Sequence, residues 1–277
     1  MDGSGALAVL DVAPPAGAVA RRPVLFVPGF TGSKEDFAPV LGGLAAVGHR
    51  AVAMDQRGQF ESDGPDEPAA YTPTALAADL RTVAKSLGLG RAHLVGHSFG
   101  GLVARAAVLA DPSAWASLTL LDSGPAALSG DRRGSTDALG LAARTVALPE
   151  LWDAVTAFWA AQGHAAPPPA AAAFQRERFV RSTAAALVGM SVALGVEPDL
   201  VDELHAAAAA VGLPVHVVFG EYDDAWLPAE QRAMADRLGT PAIVVPDAVH
   251  SPAVEAPEAT LAALTKVFAA AEALGVS

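Results

Sequence analysis

The sequence predicts an α/β fold in which helices flank a mostly parallel central sheet. Short runs of β-branched residues alternate with longer helical patterns, and this alternation is typical of consecutive βαβ units. The length of 277 residues suits one large α/β domain, or such a domain with an insertion. Between residues 122 and 213 only helical patterns occur, which favours an insertion over the carboxyl edge of the sheet.

The predicted strands are short apolar runs rich in valine and leucine. Most of them are followed by glycine, proline or aspartate, the residues that commonly end a strand. They cover residues 24–27, 51–54, 92–96, 117–121, 214–219 and 242–245.

Apolar residues three and four positions apart predict the helices between these strands. One helix begins after Thr72, because a threonine side chain accepts backbone hydrogen bonds at a helix N-terminus, and Pro73 suits the first turn. The core helices cover residues 34–47, 73–87, 102–110 and 260–274.

Residues 129–212 are predicted to form a helical cap, inserted into an α/β core made of residues 1–128 and 213–277. The stretch contains four helical patterns, and three consecutive prolines at 167–169 separate the second pattern from the third. The patterns lie at residues 137–147, 151–161, 170–194 and 199–211.

Composition restricts the classes of partner and of chemistry. The formal net charge of −12 disfavours nucleic acids and anionic membranes, because binding to phosphate depends on lysine and arginine. The absence of cysteine excludes disulfides, thiolate metal sites and a cysteine nucleophile. The sequence shows no signal-peptide pattern and no apolar run of the roughly 18 residues that a membrane span needs. We therefore expect a soluble, cytoplasmic protein with a small-molecule substrate, and the oligomeric state stays open.

The strongest chemical motif is Gly96-His97-Ser98-Phe99-Gly100-Gly101, which lies between a predicted strand and a predicted helix. That context is the one a Gly-x-Ser-x-Gly nucleophile elbow requires. Glycines on either side of the serine let the strained turn pack closely against its neighbours, and the turn exposes the serine hydroxyl. We therefore predict that Ser98 is a nucleophile.

These residues resemble the α/β-hydrolase superfamily, in its capped esterase- and lactonase-like branch, over nearly the whole chain from Val24 to Phe268. The resemblance implies the α/β-hydrolase fold, no cofactor and a catalytic order of nucleophile, acid and base. It assigns the acid to Asp223 in the loop Gly220-Glu221-Tyr222-Asp223, and the base to His250 in Val249-His250-Ser251-Pro252.

The three residue types supply what a serine nucleophile needs. Histidine takes the serine proton, and a carboxylate orients the imidazole and stabilises its charged form. The spacing favours Asp223 over its neighbour Asp224 as the acid, and Asp122, which follows another strand, is a third possibility because some family members take their acid there.

Most of the other histidines are expected to play structural or solvated roles. We predict that His97 lines or packs the elbow, that His216 packs in the core, and that His49 and His205 are solvated. No cluster of histidines and carboxylates has metal-ligand spacing along the chain, so no metal site is predicted.

By resemblance, the oxyanion hole is formed by the backbone N–H groups of Phe99 and Phe30. Relatives commonly carry His-Gly before the second donor, and this chain departs from them with Pro28-Gly29. The loop Asp55-Gln56-Arg57-Gly58 also matches a family loop, whose role is mostly structural. Aromatic residues of the cap predict a largely apolar pocket for an apolar ester, and they favour Trp159 and Phe179 as substrate-binding residues.

The function expected from this resemblance is hydrolysis of an ester, lactone or thioester through an acyl-enzyme. A biosynthetic thioesterase or cyclase that uses the same site is an alternative, and a ligand receptor with slow turnover is another. Dehalogenase and epoxide hydrolase activities are disfavoured, because those family members use an aspartate nucleophile where this chain has Ser98.

Overall fold

In the computed structural model, which describes residues 5–163 and 165–274, seven strands form one sheet. They are Val9–Val12 (β1), Val24–Val27 (β2), Ala51–Met54 (β3), His93–His97 (β4), Ser117–Leu121 (β5), Val215–Gly220 (β6) and Ala242–Val245 (β7). Their order across the sheet is β1-β3-β2-β4-β5-β6-β7. β1 runs antiparallel to β3, and every other neighbouring pair is parallel. The predicted mostly parallel sheet is therefore confirmed.

Helices cover both faces of this sheet, and others lie between β5 and β6 in the chain. In chain order they are Ala38–Ala46 (α1), Pro73–Ser86 (α2), Phe99–Ala110 (α3), Gly130–Ala142 (α4), Leu148–Ala161 (α5), Pro169–Arg181 (α6), Ala184–Val196 (α7), Val201–Val211 (α8), Pro228–Leu238 (α9), Pro252–Glu255 (α10) and Pro257–Ala273 (α11). The predicted cap on α2 is present, since the Thr72 side chain accepts the Ala75 N–H at 3.2 Å.

The strand β2 shows why its sequence is continuously apolar. Successive side chains of a strand point to opposite faces of the sheet. Leu25 and Val27 pack with α2 and α3 on one face, whereas Val24 and Phe26 pack with α1 and α11 on the other. Both faces are covered, so every residue of this strand is buried.

Helices α4 to α8, which we call the inserted helices, occupy the chain between β5 and β6. Part of this segment has an apolar cluster of its own, formed by Ala143, Leu148, Leu151, Phe179, Leu187 and Val188. Other residues of α7, including Met190 and Leu194, belong to the main core. α7 is apolar on all sides because it lies between the α/β core and the other inserted helices.

The helical pattern predicted over residues 170–194 is present but divided, because two helices meet there. α6 ends at Arg181, and Thr183 begins α7 by accepting the Ala186 N–H at 3.1 Å. No single helix of the described ranges is long and apolar enough to cross a membrane; α6 and α7 reach that length only together, with a bend of 92° between them.

Candidate active site

Ser98 lies in the turn between β4 and α3, at the carboxyl edge of the sheet. Its backbone has φ 53° and ψ −122°, a strained conformation for a residue with a side chain. The turn is also tightly packed, since a Cβ at Gly96 would lie 2.3 Å from the Gly100 carbonyl oxygen. The flanking glycines are therefore required for the close approach of strand and helix.

The structure brings Ser98, Asp223 and His250 together from three distant parts of the chain. The Ser98 hydroxyl donates to Nε2 of His250 at 2.9 Å, and Nδ1–H of His250 donates to Oδ1 of Asp223 at 2.8 Å. Asp223 follows β6 and His250 follows β7, so all three side chains project from the same edge of the sheet. This geometry can pass a proton from the serine to the imidazole while a carboxylate orients the ring.

Asp223 is buried but well supplied with hydrogen-bond donors. Besides His250, the Ala225 N–H donates to Oδ1 at 2.9 Å, and Gln231 Nε2–H donates to Oδ2 at 2.6 Å. Burial raises the pKa of Asp223, but the hydrogen bond from His250, the charge of that ring and the Ala225 amide together lower the pKa below its ordinary value. The carboxyl group is therefore ionised where it meets the imidazole.

The two other candidate acids do not meet His250 in the same way. Asp224 forms an ion pair with Arg132 of α4 at the cavity. Asp122 is fully buried at the end of β5, and its Oδ1 accepts the Gly220 N–H at 2.8 Å. Of the three carboxyl groups considered from the sequence, only Asp223 is hydrogen-bonded to the ring.

The two predicted oxyanion donors flank the serine. Phe99 is the first residue of α3, and Phe30 follows Gly29 in the loop after β2. A Cβ at Gly29 would lie 2.9 Å from Cβ of Ser98, so this loop runs directly against the nucleophile. Both predicted donors therefore lie on segments adjacent to Ser98.

Two glutamines that were not predicted as site residues hold this loop. Gln59 Nε2–H donates to the Gly29 carbonyl at 2.8 Å, and Gln56 Nε2–H donates to the Pro28 carbonyl at 2.8 Å. The C=O and N–H of one planar trans peptide point in opposite directions, so Gln59 turns the Phe30 N–H to the other side of the loop. Both glutamines flank Gly58 just after a buried strand, and that position is the signal from which they could have been found.

A cavity of about 360 Å³ opens beside Ser98 and His250. Loops of the α/β core and helices α4, α6 and α7 contribute to its walls. Its lining includes the charged side chains of Asp36, Arg132, Arg178, Asp224 and Glu255, and the apolar side chains of Phe30, Leu128, Leu194 and Val249. The predicted largely apolar pocket is therefore wrong, because charged side chains from both parts of the chain reach the cavity.

Comparisons with known proteins identify the fold. A family model described as alpha/beta hydrolase fold matches residues 22–152. A putative carbamate hydrolase from Variovorax paradoxus is 38% identical over 99 residues, which are 36% of this chain and 37% of that protein. The match thus spans little more than a third of that relative's length. The chain has the α/β-hydrolase fold.

Solved structures extend the similarity over nearly the whole chain. A thermophilic esterase from Thermogutta terrifontis superposes with a TM-score of 0.76 at 25% identity, covering 96% of this chain and 93% of the esterase. An enol-lactonase from Burkholderia xenovorans LB400 gives a TM-score of 0.75 at 21% identity, covering 95% of this chain and 96% of the lactonase. The resemblance to the α/β-hydrolase superfamily stated from the sequence motifs is confirmed.

Trp159 and Phe179, the predicted substrate-binding residues, are absent from the described lining of the cavity. Phe179 is 5% exposed and packs against the ring of Trp152 within the apolar cluster of the inserted helices. Trp159 is 46% exposed and packs edge-on against Trp152. The helical insertion needs a core of its own, and Phe179 serves that core instead of the cavity.

Two ion pairs join the inserted helices to the core at the cavity. Arg178 of α6 pairs with Asp36, which also accepts the Ser33 N–H at 3.1 Å. Arg132 of α4 pairs with Asp224, next to Asp223. Ion pairs therefore connect the core and the insertion on two sides of the cavity.

Of the four histidines other than His250 for which a role was predicted, His49 is the one that differs from the prediction. His97 lines the cavity and donates from Nε2 to the His250 carbonyl at 2.6 Å; burial and the charge of His250 lower the pKa of His97 to about 4. His49, predicted to be solvated, is fully buried beneath the Phe268 ring of α11. His216 lies in β6, His205 is exposed as expected, and His164 lies outside the described residues.

Two groups of described side chains have metal-ligand spacing, with ligand atoms within 4.8 Å of one another. One is Asp122, Asp223 and His250, where His250 is hydrogen-bonded to Ser98 and Asp223. The other is His49, His93 and Glu272 at the opposite end of the strands. There the guanidinium of Arg21 binds Glu272 at 3.1 Å, which offsets the carboxylate charge and opposes a cation.

Proposed function

We propose that this protein is a serine hydrolase that cleaves a carboxylic ester-type bond through an acyl-enzyme. The observation that carries the proposal is the chain of hydrogen bonds from Ser98 through His250 to Asp223. Esters, lactones and thioesters all present the acyl carbon that such a nucleophile attacks.

Each residue has a defined role in this reaction. Ser98 Oγ bonds to the acyl carbon while its proton passes to Nε2 of His250, and Asp223 stabilises the charged ring. The Phe30 and Phe99 N–H groups donate to the oxygen that becomes negative. His250 then protonates the leaving alcohol or thiol. Water attacks the acyl-serine next, gives its proton to His250 and releases the acid, and Ser98 regains its proton.

We further propose that residues 129–212 act as a cap that closes the substrate cavity over Ser98. Arg132, Thr136 and Arg178 of this segment line the cavity beside core residues. Because charged groups face the bound molecule, the proposed substrate is a small ester that carries polar groups, in place of the apolar ester expected from the sequence.

The test is covalent labelling with a fluorophosphonate together with turnover of p-nitrophenyl acetate. Ser98→Ala should abolish labelling and lower kcat by about 10⁶-fold, as expected for the nucleophile of a triad, with an unchanged circular dichroism spectrum. Ser123→Ala is the matched control, since it removes another buried serine hydroxyl close to the elbow glycine Gly101. Turnover by Ser98→Ala within tenfold of wild type would refute the proposal. Rapid labelling of the wild type without turnover would favour the receptor alternative.

A further inference from the structure

Asp122 is a buried carboxyl group that the proposed mechanism does not use. It follows β5 with φ 45°, an unusual conformation for a residue other than glycine, and its side chain is fully buried. Oδ1 accepts the Gly220 N–H at 2.8 Å, but Oδ2 has no hydrogen-bond partner among the described residues. An ionised Asp122 would therefore leave a buried charged oxygen without a donor, which is costly.

A second carboxyl group lies beside it. Carboxyl oxygens of Asp122 and Asp223 and a ring nitrogen of His250 all lie within 4.8 Å of one another. β5 and β6 are neighbouring parallel strands, so the two aspartates that follow them meet at the same edge of the sheet. Two buried carboxylates this close repel each other strongly, and such pairs hold one proton between them.

The hydrogen bonds decide which carboxyl group keeps the proton. Asp223 receives three N–H donors, from His250, Ala225 and Gln231, whereas Asp122 receives one, from Gly220. Burial and the charge of Asp223 raise the pKa of Asp122 well above its ordinary value, and the charge of Glu255 adds to this. Besides Asp223 and His250, whose polar atoms lie beside Asp122, Glu255 is a titratable group whose charge acts on Asp122.

We propose that Asp122 is a neutral carboxylic acid whose proton is donated to Asp223, and that Asp122 thereby acts as a positioning residue for His250. The donated hydrogen bond satisfies Oδ2 of Asp122 and fixes the carboxylate plane of Asp223. The inference rests on the proposed serine hydrolase function, because it assigns Asp122 a role through Asp223 and not in contact with the substrate.

Two variants of nearly equal size separate this role from a structural one. Asp122→Asn keeps a neutral N–H donor toward Asp223 and an acceptor for Gly220, so kcat/KM should stay within about threefold of wild type. Asp122→Leu removes the donor, and kcat should fall about 10- to 100-fold with little change in KM, the range for a hydrogen bond to a charged group. Equal activity of Asp122→Leu and wild type would overturn the proposal.

The pH profile of kcat/KM for Asp122→Asn gives a second measurement. A neutral Asp122 contributes no charge, so the acidic limb should stay where it is in wild type. If Asp122 were ionised, its removal would destabilise the protonated imidazole, and the limb would move by about one unit or more to lower pH. Such a displacement would overturn the proposal.

Infrared difference spectra distinguish failure of this inference from failure of the proposed function, and they do not depend on the stability of Asp122→Leu. At pH 7, wild type minus Asp122→Asn should show the C=O stretch of a protonated carboxylic acid. Loss of a carboxylate band instead would refute the neutral state. If the acid band is present but Ser98→Ala keeps its activity, the hydrolase proposal fails while the protonated pair stands.

Discussion

Asp223 and Asp224 are adjacent in the chain but face different partners. Asp223 is 2% exposed and holds His250 Nδ1–H, whereas Asp224 pairs with Arg132 near solvent. Asp223→Asn should lower kcat by about 10⁴-fold, because an amide favours the wrong imidazole tautomer. The same change in the triad of a serine protease has an effect of this size. Asp224→Asn should stay within about tenfold, since a surface ion pair contributes little. Steady-state kinetics with p-nitrophenyl acetate would check this, and the reverse ranking would transfer the role to Asp224.

Replacing Gln59 should weaken stabilisation of the transition state and leave substrate binding unchanged. Gln59→Leu removes the donor that orients the Gly29–Phe30 peptide, although the Gly32 N–H still donates to the Gly29 carbonyl at 3.1 Å. We expect kcat to fall about tenfold with KM unchanged, because an oxyanion donor acts on charge that develops during the reaction.

Gln56→Leu is the comparison for this prediction. Gln56 holds the Pro28 carbonyl, one peptide further from the Phe30 N–H, so its removal should reduce kcat less. A rise in KM at constant kcat for Gln59→Leu would place Gln59 in substrate binding instead.

At the level of single elements, the ion pair between Arg178 and Asp36 ties α6 to the core. The Arg178 side chain is only 16% exposed, so the pair is screened less than a surface pair. Arg178→Gln should raise KM about fivefold, corresponding to about 1 kcal/mol of binding free energy, and should increase hydrogen exchange in α6.

Arg176→Gln is the matched control on the same helix. Arg176 pairs with Asp153 of α5 at 3.7 Å, so its removal leaves the attachment to the core intact. KM and exchange should stay at the wild-type values. Equal effects of the two variants would show that any charge lost from α6 has the same consequence, and that the cavity does not depend on this attachment.

The elements that could be predicted are those whose local pattern agrees with their burial. Strands such as Val24–Val27 are apolar along their whole length because both faces are covered. β1 was not predicted, since it is an edge strand with a half-buried and partly polar sequence. α9 was missed because much of its surface is polar. The break between α6 and α7 depends on Thr183, whose N–H donates to the Gly58 carbonyl of a distant loop at 2.8 Å.

At the scale of the whole molecule, some features of the site could likewise be predicted from the sequence and others could not. Ser98, Asp223 and His250 each stand in a motif next to a strand, so their meeting follows once the sheet is recognised. The cavity walls could not be predicted, because Arg132 and Arg178 reach them only through the packing of the inserted helices on the core. The same holds for Asp122, whose contact with Asp223 depends on the pairing of β5 with β6.

Buried histidines make the stability of the whole molecule depend on pH. Burial is the largest cause that lowers the pKa of His93, His97 and His216, in each case to about 4 from the ordinary 6.5. As the pH falls from about 6.5 to 4, the unfolded chain takes up protons that the folded protein excludes. The stabilising contribution of these neutral, buried histidines is therefore complete above pH 6.5 and is lost on acidification. Each histidine should remove about 1.4 kcal/mol per pH unit from the free energy of unfolding.

Urea unfolding followed by circular dichroism at several pH values from 8 to 5 measures this slope. The three histidines alone would keep the free energy of unfolding nearly constant between pH 8 and 7 and then lower it by roughly 4 kcal/mol per unit near pH 5. His216→Val should reduce the slope by about one proton, because valine suits β6 and does not titrate.

Asp122 affects stability in the opposite direction. Its pKa is raised in the folded protein, so Asp122 keeps a proton there that it releases when the chain unfolds. Asp122→Asn should therefore steepen the loss of stability on acidification. A free energy of unfolding that stays constant from pH 7 to 5 in wild type and both variants would contradict the predicted pH dependence.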